Sequence, residues 1–421
     1  MFVALGFLLG SIALCVATSF LEATLLPALP PLLVATGLLL AVWSAPAADL
    51  ARLRSLLWPI AIGAAIPALW MIVQMAPMPL AFAHPVWSSV AAGYPSPRFG
   101  ALSVDIGATA LALVRYLTLV GAFVLTTLLT FNRERAEAVL IALGAAATVV
   151  ALLSIIFDLA GAPEREEAQS VACVGLVLTA ALASYVLERH ETRRAKLGMT
   201  TAKFLYPMIA TAVAFVICAA AVALSRSGSL YFAAACGFGS FAALVLVRRL
   251  NLGRWGAGAL AATGAVIALT LISGAAGGAE PRLAFVKKDP ATVELTQRIL
   301  IDTPISGSGA GTFASVTPIY ASTAPDAPEP RAATAAAQLS IEMGRFMLWA
   351  ALAVALLSSA WLARAASKRG RDSFFAAAAA SSLVALTILA FINVSLFAPA
   401  LPFLAATMLG LGVAQAQSRG A

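Results

Sequence analysis

A short polar stretch, Ser225-Arg226-Ser227-Gly228, interrupts a sequence that is otherwise strongly apolar. The guanidinium of Arg226 carries a rigid fork of N–H donors that suits phosphate oxygens. Ser225 and its neighbours add hydroxyl groups, and glycine allows a close backbone approach. The stretch therefore predicts a contact to an anionic, phosphate-bearing ligand. The alternative is an interfacial arginine in a tight turn between two helices.

A second arginine, Arg115, lies inside the apolar run 107–130. An ionisable residue at membrane depth is costly, so it usually faces a polar cavity or pairs with another group. Arg115 is predicted either to bind an anion in an outward cavity or to pair with Asp105 or Asp158. Its long side chain could also reach the membrane surface.

The longest polar interval runs from Gly278 to Gly344 and contains three alternating glycines, Gly307, Gly309 and Gly311. No Gly-Lys-Ser/Thr follows them, and no strand–helix context supports a dinucleotide-binding fingerprint. The glycines could present backbone N–H groups to an anion. They could equally form a turn with no ligand.

The same interval ends at a helix start that carries Gln338 and Glu342. Their i, i+4 spacing places both side chains on one face of a helix. Glu342 could act as a carboxylate base. It could instead be an acidic residue of the kind favoured near a helix N-terminus.

The chain has only two histidines, His84 and His190. An ordinary histidine pKa of about 6.5 makes His84, just before Pro85, a possible general base, or else a loop residue. His190 lies among charged residues and is predicted to be solvated. We find no Ser-His-Asp grouping and no HExxH, and the cysteines lie in apolar runs without CxxC spacing, so neither a metal nor a cofactor is predicted. The four cysteines are Cys15, Cys173, Cys218 and Cys236.

Composition predicts the class of protein. Of 421 residues, 61% are hydrophobic and 11% charged, with a mean hydropathy of +0.94. Soluble domains carry roughly a quarter charged residues, and many runs here approach the ~20 apolar residues that cross a bilayer. We predict an all-α, polytopic transmembrane bundle in contact with lipid. Its twelve predicted spans are 2–20, 24–45, 57–75, 107–130, 136–158, 170–188, 204–224, 229–247, 255–275, 345–363, 374–393 and 402–416.

The distribution of basic residues predicts the orientation. Of the 27 lysines and arginines, most fall in the connections that are cytoplasmic if the N-terminus is inside, as the positive-inside rule requires. The net charge of +8 therefore reflects membrane orientation and does not indicate a nucleic-acid partner. Both termini are predicted to be cytoplasmic and the long loop to face outward. The predicted domains are helices 1–275, a large loop 276–344 and helices 345–421.

Four segments together resemble the O-antigen ligase family, which includes related polysaccharide polymerases. The resemblance covers about Gln74 to Gly344. The segments are Gln74-x-x-Pro77-Met78-Pro79 with Trp87 and Ser103-Val104-Asp105; Leu224-Ser225-Arg226-Ser227-Gly228; Asp302-x-Pro304-x-x-Gly307-x-Gly309-x-Gly311-Thr312-Phe313; and Gln338-x-x-x-Glu342-x-Gly344.

This resemblance implies a metal-independent inverting glycosyltransferase of the bacterial inner membrane. Such enzymes take a glycan from an undecaprenyl-diphosphate carrier on the periplasmic side. A ligase passes the glycan to lipid A core, and a polymerase passes it to another carrier-linked glycan. Family arginines hold the diphosphate and stabilise its departure, and a histidine in the large loop assists the acceptor hydroxyl.

The sequence departs from the family pattern at that histidine. Where the family has His-Asn before the last motif, this chain has Ala333 and Thr334. Glu342 or His84 is the predicted replacement base. A second family arginine is also displaced, with Arg298 the nearest substitute. The predicted substrate-binding set is Arg226, Ser225, Arg115, Arg298, Arg331, Gly307, Gly309, Gly311 and Gln338.

Two other functions are compatible with the sequence. The missing histidine is consistent with a non-catalytic membrane component of polysaccharide assembly. A transporter of about twelve spans would instead place polar groups near the bilayer midplane in two related halves. The polar positions of this chain lie mainly at the predicted outer edge, which disfavours the transporter.

Overall fold

The computed structural model describes residues 1–21, 26–93, 99–161, 165–197, 202–249, 290–320, 331–368 and 372–417. Within these ranges the chain forms fifteen α-helices and one two-stranded antiparallel sheet. The class is therefore all-α, as predicted. The sheet pairs β1 (Met78–Pro79) with β2 (Phe99–Gly100).

The helices follow the chain in this order. They are α1 (Phe2–Thr18), α2 (Leu29–Ser44), α3 (Ala47–Met75), α4 (Pro85–Gly93), α5 (Ile106–Leu129), α6 (Arg133–Leu159), α7 (Glu166–Leu197), α8 (Ala202–Leu224), α9 (Gly228–Arg249), α10 (Pro290–Asp302), α11 (Phe313–Tyr320), α12 (Ala335–Met343), α13 (Arg345–Lys368), α14 (Ser373–Ile392) and α15 (Ala400–Ala416).

Eight of these helices are long and apolar enough to cross a membrane: α3, the α5 to α9 series, α13 and α14. Three shorter apolar helices, α1, α2 and α15, match three more predicted spans. The predicted span 255–275 lies outside the described residues. The protein is thus a multi-pass membrane protein, whereas the count of twelve spans stays a prediction.

Prolines explain where α2 begins. Pro30 and Pro31 occupy its first turn, where a missing N–H costs nothing because no intrahelical acceptor exists there. A short 3-10 turn at Leu26–Ala28 precedes it. The prolines therefore set the start of α2 and do not interrupt the rest of the helix, which packs along α1 and α5.

Two helices form the centre of the bundle. In the most apolar 18-residue stretch of each helix, 78% of α14 and 72% of α7 is buried, against 17% of α3, α5 and α8. Helix α14 is rich in alanine and serine from Ala376 to Ser382. Small side chains let neighbouring helix backbones approach closely, which is how membrane helices gain packing energy when lipid is as apolar as leucine.

Ion pairs join several connections at one end of the bundle. Arg133 contacts both Glu137 and Asp372 at 3.1 Å, and Arg248 contacts Glu188 at 3.0 Å. Arg52, which also belongs to a connection predicted to be cytoplasmic, lies over the ring of Phe131. The structure therefore collects these basic connections on one side, which we call the basic end.

Candidate functional site

The opposite end of the bundle carries a folded cap, which we define as residues 76–93, 99–106, 290–320 and 331–344. It holds β1, β2, α4, α10, α11 and α12. A hydrogen bond from the Ala335 N–H to the Asn393 carbonyl (2.8 Å) attaches the cap to the end of α14. The cap contains most of the residues singled out in the sequence.

The glycine-rich loop of the cap, residues 304–313, needs its glycines for conformation and for space. Gly307, Gly309 and Gly311 have φ of +80°, +113° and +75°, values that side chains with a Cβ rarely adopt. A Cβ at Gly307 would overlap the Glu342 carbonyl, and one at Gly309 would overlap the side chain of Ser103. The loop therefore lies directly against α12 and the start of α5.

The anion held by this loop is the side chain of Glu342. Its Oε2 accepts the Gly311 N–H (2.8 Å), and its Oε1 accepts the Phe313 N–H (3.4 Å) and the Gln338 side-chain amide (2.8 Å). The Gly309 N–H donates to the Glu342 carbonyl (3.0 Å). Successive backbone N–H groups in such turns form anion-binding nests, and here the nest is filled from within the chain.

The other N–H groups of residues 307–313 are also occupied, and that of Gly307 donates to the Pro304 carbonyl at 2.9 Å. Ser308 donates to the Ile341 carbonyl at 2.8 Å, and Ala310 donates to the Oε1 of Gln74 at 3.1 Å. Thr312 donates to the Gly309 carbonyl at 3.3 Å. The backbone of residues 307–313 consequently has no N–H left for an external phosphate.

Glu342 is 2% exposed. Burial raises the pKa of its carboxyl group, while the hydrogen bonds from Gly311, Gln338 and Phe313 and the charge of Arg115 act in the opposite direction. Three donors occupy its two oxygens, so Oε2, which accepts only the Gly311 N–H, is the oxygen with room for a proton. The geometry gives Glu342 a structural role that the sequence did not predict.

Gln74 is the site residue whose role sequence reasoning missed. It is fully buried at the end of α3, and its amide donates to the carbonyls of Glu342 (3.0 Å) and Ser306 (3.2 Å). Its backbone carbonyl accepts the Ser103 N–H (2.9 Å). A glutamine within an apolar span signals a specific polar contact, and that signal was present in the sequence.

Arg115 lies on the face of α5 that touches the glycine loop. A Cβ added at Gly311 would contact Ala108 and Ala112. These two alanines precede Arg115 on α5 by seven and three residues. Arg115 is exposed and close enough to Glu342 for its charge to act on that carboxyl group. Its predicted partner Asp105 instead caps α5 through the Ala108 N–H and accepts from Ser315. Within the described ranges no carboxylate forms an ion pair with Arg115.

Arg226 adopts φ of +48° in the turn between α8 and α9. This left-handed conformation is unusual for a residue with a Cβ and costs roughly 1–2 kcal/mol. The turn is fixed by Ser225, whose hydroxyl donates to the Val222 carbonyl at 2.6 Å and accepts the Ser227 N–H at 3.4 Å. The Arg226 side chain is exposed, and no described carboxylate pairs with it. Among the described residues, no hydrogen bond or ion pair joins this turn to the cap.

The other predicted residues are also apart from Glu342. His84 is half-buried, and its Nδ1 accepts the Val86 N–H at 3.3 Å, so the neutral ring carries its proton on Nε2. Burial lowers the pKa of His84. Arg298 forms an exposed ion pair with Glu294 at 2.5 Å. Arg331 is exposed and lies within electrostatic range of Glu167.

The positions of the family His-Asn pair are structural in this chain. Ala333 is fully buried and donates its N–H to the Thr296 hydroxyl at 3.1 Å. Thr334 is 1% exposed, and its hydroxyl caps α12 by accepting the Ala337 N–H at 3.1 Å. Among the described residues no group of three or more His, Cys, Asp or Glu side chains could hold a metal ion.

The fold and the cap define a multi-pass helical membrane protein with an ordered polar cap at one end. Comparison with protein-family profiles, with curated proteins and with solved structures finds no match to this chain. The assignment of a function therefore rests on the residues and their geometry.

Proposed function

We propose that this protein binds an undecaprenyl-diphosphate-linked glycan beside its cap and transfers or polymerises that glycan on the periplasmic side of a bacterial inner membrane. The acceptor is another glycan or lipid A core. This is the O-antigen ligase-like activity that the sequence resembles. No cofactor takes part in the proposed reaction.

The position of Arg115 is the observation that carries the proposal. It lies nine positions after Ile106, the first residue of α5, which places it about 14 Å along the helix. An exposed arginine at that depth is costly without an anion, and no described carboxylate pairs with it. A diphosphate on a polyprenyl chain brings two phosphates to the membrane boundary, and the long Arg115 side chain can extend toward that boundary and bind them with its guanidinium fork.

Convergence of the motifs gives further support. Gln74, Ser103, the glycine loop and Glu342 come from three separate stretches of the chain, yet hydrogen bonds join them into one unit. These are three of the four segments on which the resemblance rests. Arg226 lies in the remaining segment, Leu224 to Gly228, and is proposed to contact the carrier from its own exposed turn.

The proposal is tested by binding and transfer with protein in nanodiscs. Arg115→Gln and Arg226→Gln should each weaken binding of undecaprenyl diphosphate by about 10- to 100-fold, since a hydrogen bond to a charged group contributes roughly 1.5–3 kcal/mol. Arg54→Gln, at the basic end, is the matched control. Unchanged binding in both variants, or equal binding of uncharged undecaprenol, would overturn the proposal.

One observation favours a second candidate, a carrier-binding component without catalytic activity. The family histidine position is the buried Ala333, and the oxygens of Glu342 are already occupied. This candidate predicts that the purified protein binds the lipid-linked glycan but does not extend or transfer it when an acceptor is supplied. Turnover by the purified protein would exclude it.

A further inference from the structure

Two isoleucines of the cap, Ile301 and Ile305, are unusually exposed. They are 55% and 81% accessible, although the surrounding cap has its own apolar core of Ile299, Leu300 and Phe313. Large apolar side chains that remain exposed next to a packed core mark a contact surface. Neither isoleucine belongs to a membrane span, so the composition of the spans does not explain their exposure.

Both isoleucines lie beside the first turn of α13. The Arg345 guanidinium donates to the Leu300 carbonyl at 3.1 Å, which fixes the peptide just before Ile301. Gly344 has φ of +91°, and a Cβ there would overlap the Ile305 carbonyl. The chain segment 300–305 is therefore in direct contact with residues 344–345.

The exposed face of α13 starts at the same place. Phe346 and Trp349 are 77% and 45% accessible, and the stripe continues through Val354 and Leu357. The opposite face of the helix, with Met347, Leu348 and Leu362, is buried. Because α13 is a candidate membrane span, this stripe faces lipid, and the two cap isoleucines extend it beyond the start of the helix.

The length of α13 places this junction at the edge of the hydrocarbon. Nineteen residues lead from Arg345 to Arg364, or about 28 Å of helix, and the hydrocarbon core of a bilayer is about 30 Å thick. If Arg364 marks one boundary, Phe346 and the adjoining isoleucines lie at the other. Amphipathic segments bury their apolar face about 5–10 Å into this boundary region.

We infer that the cap is a lipid-inserted element, with Ile301 and Ile305 seated in the headgroup–acyl boundary of the leaflet next to α13. The exposed ion pair of Arg298 with Glu294 lies one to two helical turns earlier in α10. Because Glu294, Arg298 and Ile301 share one face of α10, the inference requires α10 to rise away from the bilayer toward its N-terminus, which keeps the ion pair at the level of headgroups and water. The partner of this surface is the bilayer itself, and the inference does not depend on any catalytic activity.

Spin labels in nanodiscs test this placement. Cysteine is introduced in turn at Ile301, Ile305, Phe346 and Glu294 in the full chain, with the four native cysteines replaced by alanine. Collision with apolar oxygen and with a water-soluble nickel chelate is then measured at each label. Ile301→Cys and Ile305→Cys should behave like Phe346→Cys, with oxygen collisions several-fold more frequent than nickel collisions. Glu294→Cys should show the reverse ratio.

Two results would overturn the inference. Frequent nickel collisions at both Ile301 and Ile305 would place the cap in water above the membrane. Low collision with both reagents, together with an immobilised spectrum, would show that a second copy or another protein covers the surface.

A second series, Ile305→Ser and Ile305→Leu in native-cysteine protein, provides an independent readout. Only the serine variant should reduce quenching of tryptophan fluorescence by lipids brominated near the headgroup.

Discussion

At the scale of single residues, the most informative side chain is Glu342. Its carboxylate lies where a free loop of this type would bind phosphate, and it satisfies two backbone N–H groups and the Gln338 amide. Buried donors that lose their acceptor cost about 1–3 kcal/mol. The glycine loop therefore depends on Glu342 for its conformation.

Glu342→Gln tests that dependence. A glutamine side chain keeps the shape of glutamate, but in either orientation its NH2 group faces an N–H donor. We expect the free energy of unfolding in mixed micelles to fall by about 1–3 kcal/mol. Glu294→Gln, in an exposed ion pair, should change it by no more than about 0.5 kcal/mol. Equal effects of the two substitutions would contradict the structural role of Glu342.

His84 gives a pH-dependent prediction. Because burial lowers its pKa in the folded state, the unfolded chain binds more protons below the ordinary histidine pKa of about 6.5. Its contribution to stability is therefore complete above that pH and is lost as the pH falls from there through the lower pKa of the folded state. The His84→Gln variant should lose this part of the stability change between pH 7.5 and pH 5. Thermal unfolding of the two proteins across that range measures it, and parallel curves would contradict the prediction.

At the scale of elements, three glycines decide how the glycine-rich loop packs within the cap and against the bundle. Gly307 contacts α12, Gly309 contacts Ser103 and Gly311 contacts α5, all with positive φ. In this loop the alternation of glycines serves close backbone packing. The same alternation in the sequence alone was equally compatible with anion binding.

Gly309→Ala should destabilise the protein strongly. The residue has φ of +113°, and a Cβ would overlap the Ser103 side chain. The left-handed conformation alone costs about 1–2 kcal/mol. Gly239→Ala is the control, since nothing lies within 4 Å of its added Cβ in α9, and alanine favours a helix by about 1 kcal/mol. Thermal unfolding should move in opposite directions for the two variants, and a neutral Gly309→Ala would contradict the packing described here.

At the scale of the whole molecule, polar interactions separate into two ends. The basic end carries the Arg133, Arg189 and Arg248 ion pairs, and the cap occupies the other end. This separation agrees with the expected positive-inside distribution. The compartment that each end faces stays a prediction.

Reporter fusions measure the orientation. Green fluorescent protein fused after Ala421 should fluoresce and alkaline phosphatase there should be inactive, because the C-terminus is predicted to be cytoplasmic. Alkaline phosphatase fused after Gly161, in the connection between α6 and α7, should be active. The opposite pattern at both positions would reverse the proposed orientation and exclude a periplasmic cap.

The sequence predicted eleven of the observed helices as spans, because unbroken apolar runs of sufficient length have few alternatives to a membrane helix. It did not predict the start of α3, since Asp49, Arg52 and Arg54 precede the apolar run and yet form its first turns. In the site, the sequence singled out Glu342 as a candidate base and Gln338 and the three glycines as candidate substrate-binding residues. The contact of Gln338 with Glu342 follows from their i, i+4 spacing. The contacts of Glu342 with the glycines could not be read from spacing, because they depend on the fold of α3, α5 and the loop together.

By itself, the sequence determined that this chain is an all-α membrane protein and that its chemistry-bearing residues concentrate in the cap and a few arginines. Composition and charge suffice for that, because the cost of polar groups in lipid constrains every span in the same way. Only the tertiary structure decided that the glycine nest is filled by Glu342 and that Arg115 lies beside it without a described carboxylate partner. The bonds that fill the nest join residues 29 and 31 positions apart, and the Gln74 bonds that hold the same unit join residues more than two hundred positions apart. Local pattern encodes neither.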